Sequence, residues 1–225
     1  MRKYYLFQIG QPVVAHSLSW SHYTILLSIN DLNKINYYIS ICEKENLSKR
    51  KLLERIKNNE YERLPEDTRC KLVKKEDTKI EDFIKNPIVI KNNYNNEDIN
   101  EKLLQKIILE NIESFMKELG NGYTFVGSEY KIKLDNTYNY IDLLLFNYIY
   151  NSFIVIELKV TELKKEHIGQ IQIYMNYIDK NIKGINHNKT IGIIICKRNN
   201  NYIIEYCSDS RILSREYKLI WFFIN

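Results

Sequence analysis

Three charged residues stand in stretches that are otherwise apolar. Tyr140-Ile141-Asp142-Leu143-Leu144-Leu145-Phe146 reads as a buried strand with one carboxylate, and Phe153-Ile154-Val155-Ile156-Glu157-Leu158-Lys159-Val160 as another with two charges. An unpaired buried carboxylate costs several kcal/mol, so Asp142 requires a cation or strong donors beside it. Glu157 and Lys159 are two apart, which on a strand points both to one face. If the two strands pair as a hairpin, the three charges converge. Two carboxylates at one point raise each other's proton affinity unless a divalent cation holds them, and oxygen donors favour Mg²⁺ or Mn²⁺. An ammonium beside such an ion can orient or help deprotonate a water, or stabilise charge developing on a phosphate. The set suits metal-assisted phosphodiester hydrolysis. The plainer alternative is a Glu157–Lys159 salt bridge on a sheet face, with Asp142 at a turn or edge.

The elements that must position these residues follow from periodicity. Asn100 precedes a helix expected over Glu101 to Leu119, stopped by Gly120-Asn121-Gly122. Strands are expected at Tyr123–Val126, Tyr130–Leu134, Tyr140–Phe146 and Phe153–Val160, then a helix from Glu166 to Asp179 and strands at Thr190–Cys196 and Tyr202–Tyr206. This order describes an α/β domain, a mixed sheet flanked by helices. The low-complexity stretch Lys91-Asn92-Asn93-Tyr94-Asn95-Asn96 marks a boundary, giving domains 1–90 and 91–225. Before it the spacing is helical: Trp20 to Ile29, Ile35 to Cys42 and Ser48 to Arg63, a small helical module of helix-turn-helix type. In that module Trp20 and Tyr23 read as packing residues rather than base-stacking ones, and His16 and His22 as ordinary histidines.

With 225 residues, 44% hydrophobic and 27% charged, the chain can bury a core, which excludes a disordered tail. Thirty-three basic against 28 acidic side chains give a formal +5. Residues 1–90 hold 16 basic and 12 acidic groups and residues 91–225 hold 17 and 16, so the excess lies in the first part. Alanine occurs once while Ile, Asn, Lys and Tyr crowd the chain, a bias that weakens the charge as a sign of a polyanionic partner. Lys49, Arg50, Lys51, Arg55 and Lys57 could contact phosphates, although Glu54, Glu60 and Glu62 interleave with them. Cys42, Cys70, Cys196 and Cys207 form no CxxC pair, and there is no run of 18 apolar residues and no secretory h-region. The expectation is a reduced, cytoplasmic protein with no membrane contact.

Ile141-Asp142 followed by Glu157-Leu158-Lys159 resembles the PD-(D/E)xK nuclease superfamily, and the wider chain resembles its YhcG-like bacterial branch. The likeness runs through Phe115-Met-Lys-Glu-Leu-Gly120, Gly122-Tyr-Thr-Phe-Val-Gly127, Tyr140-Ile-Asp-Leu-Leu144, Val155-Ile-Glu-Leu-Lys159 and Ile191-Gly-Ile-Ile-Ile-Cys-Lys197. In the first part, Leu18-Ser-Trp-Ser-His-Tyr23 and Tyr61-Glu-Arg-Leu64 resemble the family's DNA-binding helical region. The resemblance implies a restriction-endonuclease-like fold, Asp142 and Glu157 as ligands of Mg (or Mn), Lys159 as the catalytic lysine and the Leu158 carbonyl as an extra ligand. Superfamily members often add an acid from the first helix. Glu101 suits this by falling in line with Leu104, Ile108 and Phe115, whereas Lys106, Glu110, Glu113 and Lys117 form an outward charge ladder; the equal alternative is a first-turn carboxylate that merely favours the helix dipole. Gln170-Ile-Gln-Ile-Tyr174 resembles the superfamily's QxxxY motif, with Gln170 catalytic and Tyr174 near nucleic acid, and Lys49 and Arg50 are the expected phosphate contacts of the helical module. Two departures stand out: Asn46-Leu47 occupies the place of a usual Gly-Trp pair, and Met1-Arg-Lys-Tyr-Tyr5 resembles an internal family motif, as in a short form.

The expected activity is therefore metal-dependent hydrolysis of DNA, duplex or branched, with a two-fold dimer as the simplest source of paired cuts. The competing expectation is a catalytically silent nuclease fold that binds nucleic acid or a protein without cutting.

Overall fold

The computed structural model describes residues 18–74, 80–94, 98–207 and 209–221, with the backbone alone at 73, 74, 80, 81 and 207. The chain divides into two compact units, 1–78 and 79–225. The division lies earlier than the Asn-rich stretch suggested, because Ile88-Val89-Ile90 belongs to the second unit's sheet.

The first unit contains helices α1 (Trp20–Leu26), α2 (Leu32–Glu45), α3 (Lys49–Lys57) and α4 (Glu66–Lys74). Asp31 caps α2 by accepting from the Asn33 and Lys34 amides, and Ser48 caps α3 by accepting from Lys51. Leu26, Tyr38, Leu52 and Leu64 close their core. Tyr23 packs inside as expected, whereas Trp20 is 59% exposed, since its position on the short α1 faces away from that core. Asn46 adopts the left-handed conformation (φ +49) that a glycine takes at a helix end, and Leu47 is buried behind it. The Asn46-Leu47 pair thus supplies both the turn and the apolar plug expected of Gly-Trp. His22 is satisfied locally, with Nε2 2.9 Å from the Leu47 carbonyl oxygen and Nδ1 2.7 Å from Ser19 Oγ.

The second unit is a six-stranded mixed sheet in the order β1-β6-β5-β4-β3-β2. Its strands are β1 (Ile88–Asn92), β2 (Tyr123–Leu134), β3 (Thr137–Asn147), β4 (Ser152–Glu162), β5 (Ile191–Arg198) and β6 (Ile212–Trp221). The pairs β2–β3 and β3–β4 are antiparallel, while β4–β5, β5–β6 and β6–β1 are parallel. Helices α5 (Glu101–Glu110) and α6 (Ile112–Leu119) cover one face through Leu104, Ile107, Ile108, Phe115 and Leu119. Helix α7 (Lys165–Asn181) covers the other through Ile168, Ile171, Tyr174, Met175 and Ile178, beside the short α8 (Asn201–Cys207). The single helix expected over Glu101 to Leu119 breaks at Asn111, where φ −124 and ψ 33 leave the helical region. Gly120 ends α6 at φ +130, a conformation that side chains rarely adopt.

Tyr202–Tyr206, expected as a strand, is helical. Asn200 Oδ1 accepts from the Ile203 amide at the helix start, Ile203 and Ile204 face the core, and Tyr202 and Tyr206 point outward four residues apart. A parallel β5–β6 pair needs a crossover, and α8 is that crossover; β6 itself supplies the strand that the sequence pattern misplaced.

Candidate active site

β3 and β4 pair in register from Asn147↔Ser152 to Leu143↔Ile156. One step further Asp142 stands opposite Glu157, and there the ladder between main chains gives way to a side chain: the Leu158 amide donates to Asp142 Oδ2 at 2.7 Å. The opposite edge of β4 stays paired with β5 at Glu157↔Ile194, Leu158↔Ile195 and Lys159↔Cys196. Asp142 thus sits where two strands begin to part, on a frame that the third strand keeps rigid.

Lys159 Nζ lies 3.4 Å from Glu157 Oε2 and 3.6 Å from Glu101 Oε2, so the Glu-x-Lys pair shares a face as its spacing requires. Glu157 is 1% exposed, and its Oε1 is buried without a hydrogen-bond partner. A carboxylate left so is unusual in a folded protein. Burial, then the charge of Asp142, pushes the Glu157 carboxyl up to about 8 against the pull of Lys159 and of the Asp142 main-chain amide. Asp142 is also raised, chiefly by burial, with the Leu158 amide opposing and Glu101 and Glu129 adding repulsion. Burial works against the Lys159 ammonium, but Glu157, Glu101 and Asp142 outweigh it and hold its pKa above the ordinary range.

Three carboxylates thus act on one ammonium, an imbalance that a divalent cation would relieve. Among the described residues no three ligating side chains close into a finished cage. Two carboxylates with solvent and a substrate phosphate is the set that Mg²⁺ commonly accepts, so the donors fit such an ion. Glu101, the expected further ligand, reaches the same point through its contact with Lys159.

Gln170 Nε2 donates to Tyr174 Oη at 3.0 Å, one turn apart on α7. Tyr174 is only 4% exposed, and its hydroxyl, held by Gln170, lies in the field of Glu157 and Asp142. Lys49 and Arg50 lie on the exposed start of α3 in the other unit. Arg55, from the same basic group, is spent internally: it pairs with Glu45 and lies 3.5 Å from Glu60.

Three residues near the site escaped the sequence reading. Gln105 donates to the Asp142 carbonyl at 2.9 Å, and its position one turn after Glu101 was the available signal. Glu129, opposite Asp142 in β2, has φ +45, and no spacing rule announces it. His167 at the start of α7 feels both Lys159 and Glu101; burial, then Lys159, lowers its pKa. Gln105 and Glu129 also line a cleft of about 430 Å³ together with Lys102, Lys106, Leu109, Glu110 and Ser128.

A mixed sheet with helices on both faces, whose neighbouring strands part at an Asp facing a Glu-x-Lys, defines the restriction-endonuclease-like class of fold. Within that class the sequence comparison is specific. Residues 81–220 match the family model described as the YhcG PDDEXK nuclease domain, and residues 1–63 match the DUF1016 N-terminal domain. The chain belongs to the YhcG PDDEXK nuclease domain family. It is 27% identical over 227 residues to YhcG of Escherichia coli (strain K12), a protein provisionally named a nuclease, covering 94% of this chain and 60% of that relative. Among solved structures, a repair endonuclease from Pyrococcus abyssi is 14% identical over 55% of this chain and 49% of its own, at TM-score 0.37. A complex of EndoMS with double-stranded DNA is 15% identical over 58% and 48%, at TM-score 0.38. Likeness at that level is too distant to carry site detail, and the assignment rests on the family match.

Among the described residues no helix is long and apolar enough to cross a membrane. Cys42, Cys70 and Cys196 are unpaired thiols.

Proposed function

We propose that the second unit hydrolyses phosphodiester bonds in DNA, with Asp142, Glu157 and the Leu158 carbonyl holding Mg²⁺ or Mn²⁺. The observation that carries this reading is the Glu157 carboxylate, buried with an unpartnered oxygen opposite Asp142. A structural salt bridge would satisfy both oxygens; a site built for a cation leaves one turned inward. A bound divalent ion would supply a more acidic water and neutralise charge on the phosphoryl oxygens.

The protein's own groups do the rest. Lys159 presents an ammonium to the attacking water or to a phosphoryl oxygen, where developing negative charge meets a fixed donor. Glu101, 3.6 Å from that ammonium, shares it with Glu157 at 3.4 Å. Gln105 and the Leu158 amide fix the main chain and carboxylate of Asp142, a shell that sets ligand direction. Gln170 orients the Tyr174 hydroxyl toward the same field. Lys49 and Arg50 supply backbone contacts from the helical unit.

The test is cleavage of plasmid and branched DNA with Mg²⁺ or Mn²⁺ by wild type, Asp142→Ala and Lys159→Ala. Cleavage by wild type alone is expected. Equal activity in all three removes these residues from the mechanism. DNA binding that EDTA leaves intact, with no cutting under either metal, supports instead a silent binding protein.

A further inference from the structure

The outer half of the β2–β3 hairpin carries aromatic and basic side chains on one exposed face. Tyr140 is directly opposite Lys131 and Tyr138 directly opposite Lys133 in the strand register. The other face, with Tyr130, Ile132, Leu134 and Ile141, packs into the α7-side core. Tyr138 is 55% and Tyr140 51% exposed. Along β3, Asp142 lies about 7 Å beyond Tyr140 and about 14 Å beyond Tyr138 at 3.4 Å per residue, past a change of face at which Ile141 packs on the α7 side and Leu143 on the α5 side. Those intervals are close to the spacing of nucleotides along an extended strand.

Lys131 Nζ lies 3.8 Å from the centre of the Tyr138 ring. An exposed cation–π contact is weaker than stacking a nucleobase on the same ring, so a base can take the ring while the ammonium swings to a phosphate. Acidic groups bound the patch at its two ends, Asp135 in the turn and Glu129 beside Asp142, and leave the middle basic.

Resting on the nuclease reading above, we propose that this hairpin face is a platform for unpaired nucleotides next to the scissile phosphate, with Tyr138 and Tyr140 stacking bases and Lys131 and Lys133 holding the backbone. Aromatic faces presented by a flat strand pair suit unstacked bases, whose π-faces are open; in a duplex they are covered by neighbours. The preferred substrate would then be a flap, gap or other DNA with a single-stranded arm.

The experiment is fluorescence anisotropy in EDTA with the full chain, using a labelled dT oligonucleotide and a duplex of equal length. Wild type, Tyr138→Ala/Tyr140→Ala and Lys131→Ala/Lys133→Ala are compared after circular dichroism shows matching spectra. The tyrosine pair is expected to lose at least about 25-fold in affinity for the single strand, from roughly fivefold or more per stacked base, and much less for the duplex. The lysine pair is expected to lower the salt slope on the single strand by about 1.4, at roughly 0.7 per phosphate contact. Single-strand affinity and salt slope unchanged in both variants overturns the proposal, as does an equal loss on duplex and single strand in the tyrosine pair. Because no cleavage is needed, a wild type that binds as predicted but never cuts refutes the catalytic reading and supports the platform.

Discussion

Replacing Glu157 with Gln keeps the side chain's shape and removes the charge that the fold tolerates least. The carboxyl is pushed up to about 8 in the metal-free fold from an ordinary 4.5. A raised acid binds its proton more tightly folded than unfolded, so its stabilising effect is complete below about 4.5 and lost as pH rises through about 8. At about 1.4 kcal/mol per pH unit, the loss between pH 5.5 and 9 is about 3 kcal/mol, within an upper bound of about 5 over the whole range. For a chain of this size that corresponds to a fall in Tm of roughly 6–12 °C. The assay is thermal denaturation in EDTA from pH 5.5 to 9. Wild type should lose stability toward alkaline pH faster than Glu157→Gln, and the two curves should cross or diverge above pH 7. Added Mg²⁺ should flatten the wild-type curve and leave the variant's unchanged. Parallel pH profiles for the two proteins would refute the claim that Glu157 is an uncompensated buried acid.

Other consequences are separable by site. Gln105→Leu removes the donor to the Asp142 carbonyl, leaving that acceptor unpaired; a loss of about 1–2 kcal/mol in urea denaturation and a lower cleavage rate with little change in DNA affinity are expected. Gly192→Ala puts a methyl 2.6 Å from Met175 Sδ and 2.9 Å from Ile171 Cδ1, so overpacking between β5 and α7 should cost about 1–3 kcal/mol by the same measurement. In the helical unit, Lys49→Ala/Arg50→Ala should leave Tm unchanged and reduce the salt slope of duplex binding by about 2. Arg55→Ala should do the reverse, lowering Tm by removing the cation that pairs with Glu45 beside the buried Glu60, while leaving the salt slope alone.

The central motif was legible because charge in an apolar strand is locally anomalous. Asp142, Glu157 and Lys159 needed only period-two geometry and one hairpin to be brought together, and β3 and β4 supply both. Glu101 was placed by its line with Leu104 and Ile108, and it reaches Lys159, although the same line gave no hint that α5 would stop at Glu110. What stayed hidden depends on tertiary context. The Tyr202–Tyr206 run has strand-forming residues, yet the crossover between β5 and β6 demands a helix there. Glu129 joins the site only through the β2 register, with its irregularity between Phe125 and Gly127. The basic group of α3 looked uniform in sequence, and only packing against Glu45 and Glu60 separates Arg55 from Lys49 and Arg50. Tyr174 had the right spacing to Gln170 but a buried ring, which spacing on a helix does not reveal.

The most direct test of the account is a crystal structure soaked with Mn²⁺ and read by anomalous scattering. Density between the carboxylates of Asp142 and Glu157, absent in Asp142→Ala, is the predicted result. Mn²⁺ bound elsewhere, or none at a concentration at which the protein cuts DNA, would contradict it.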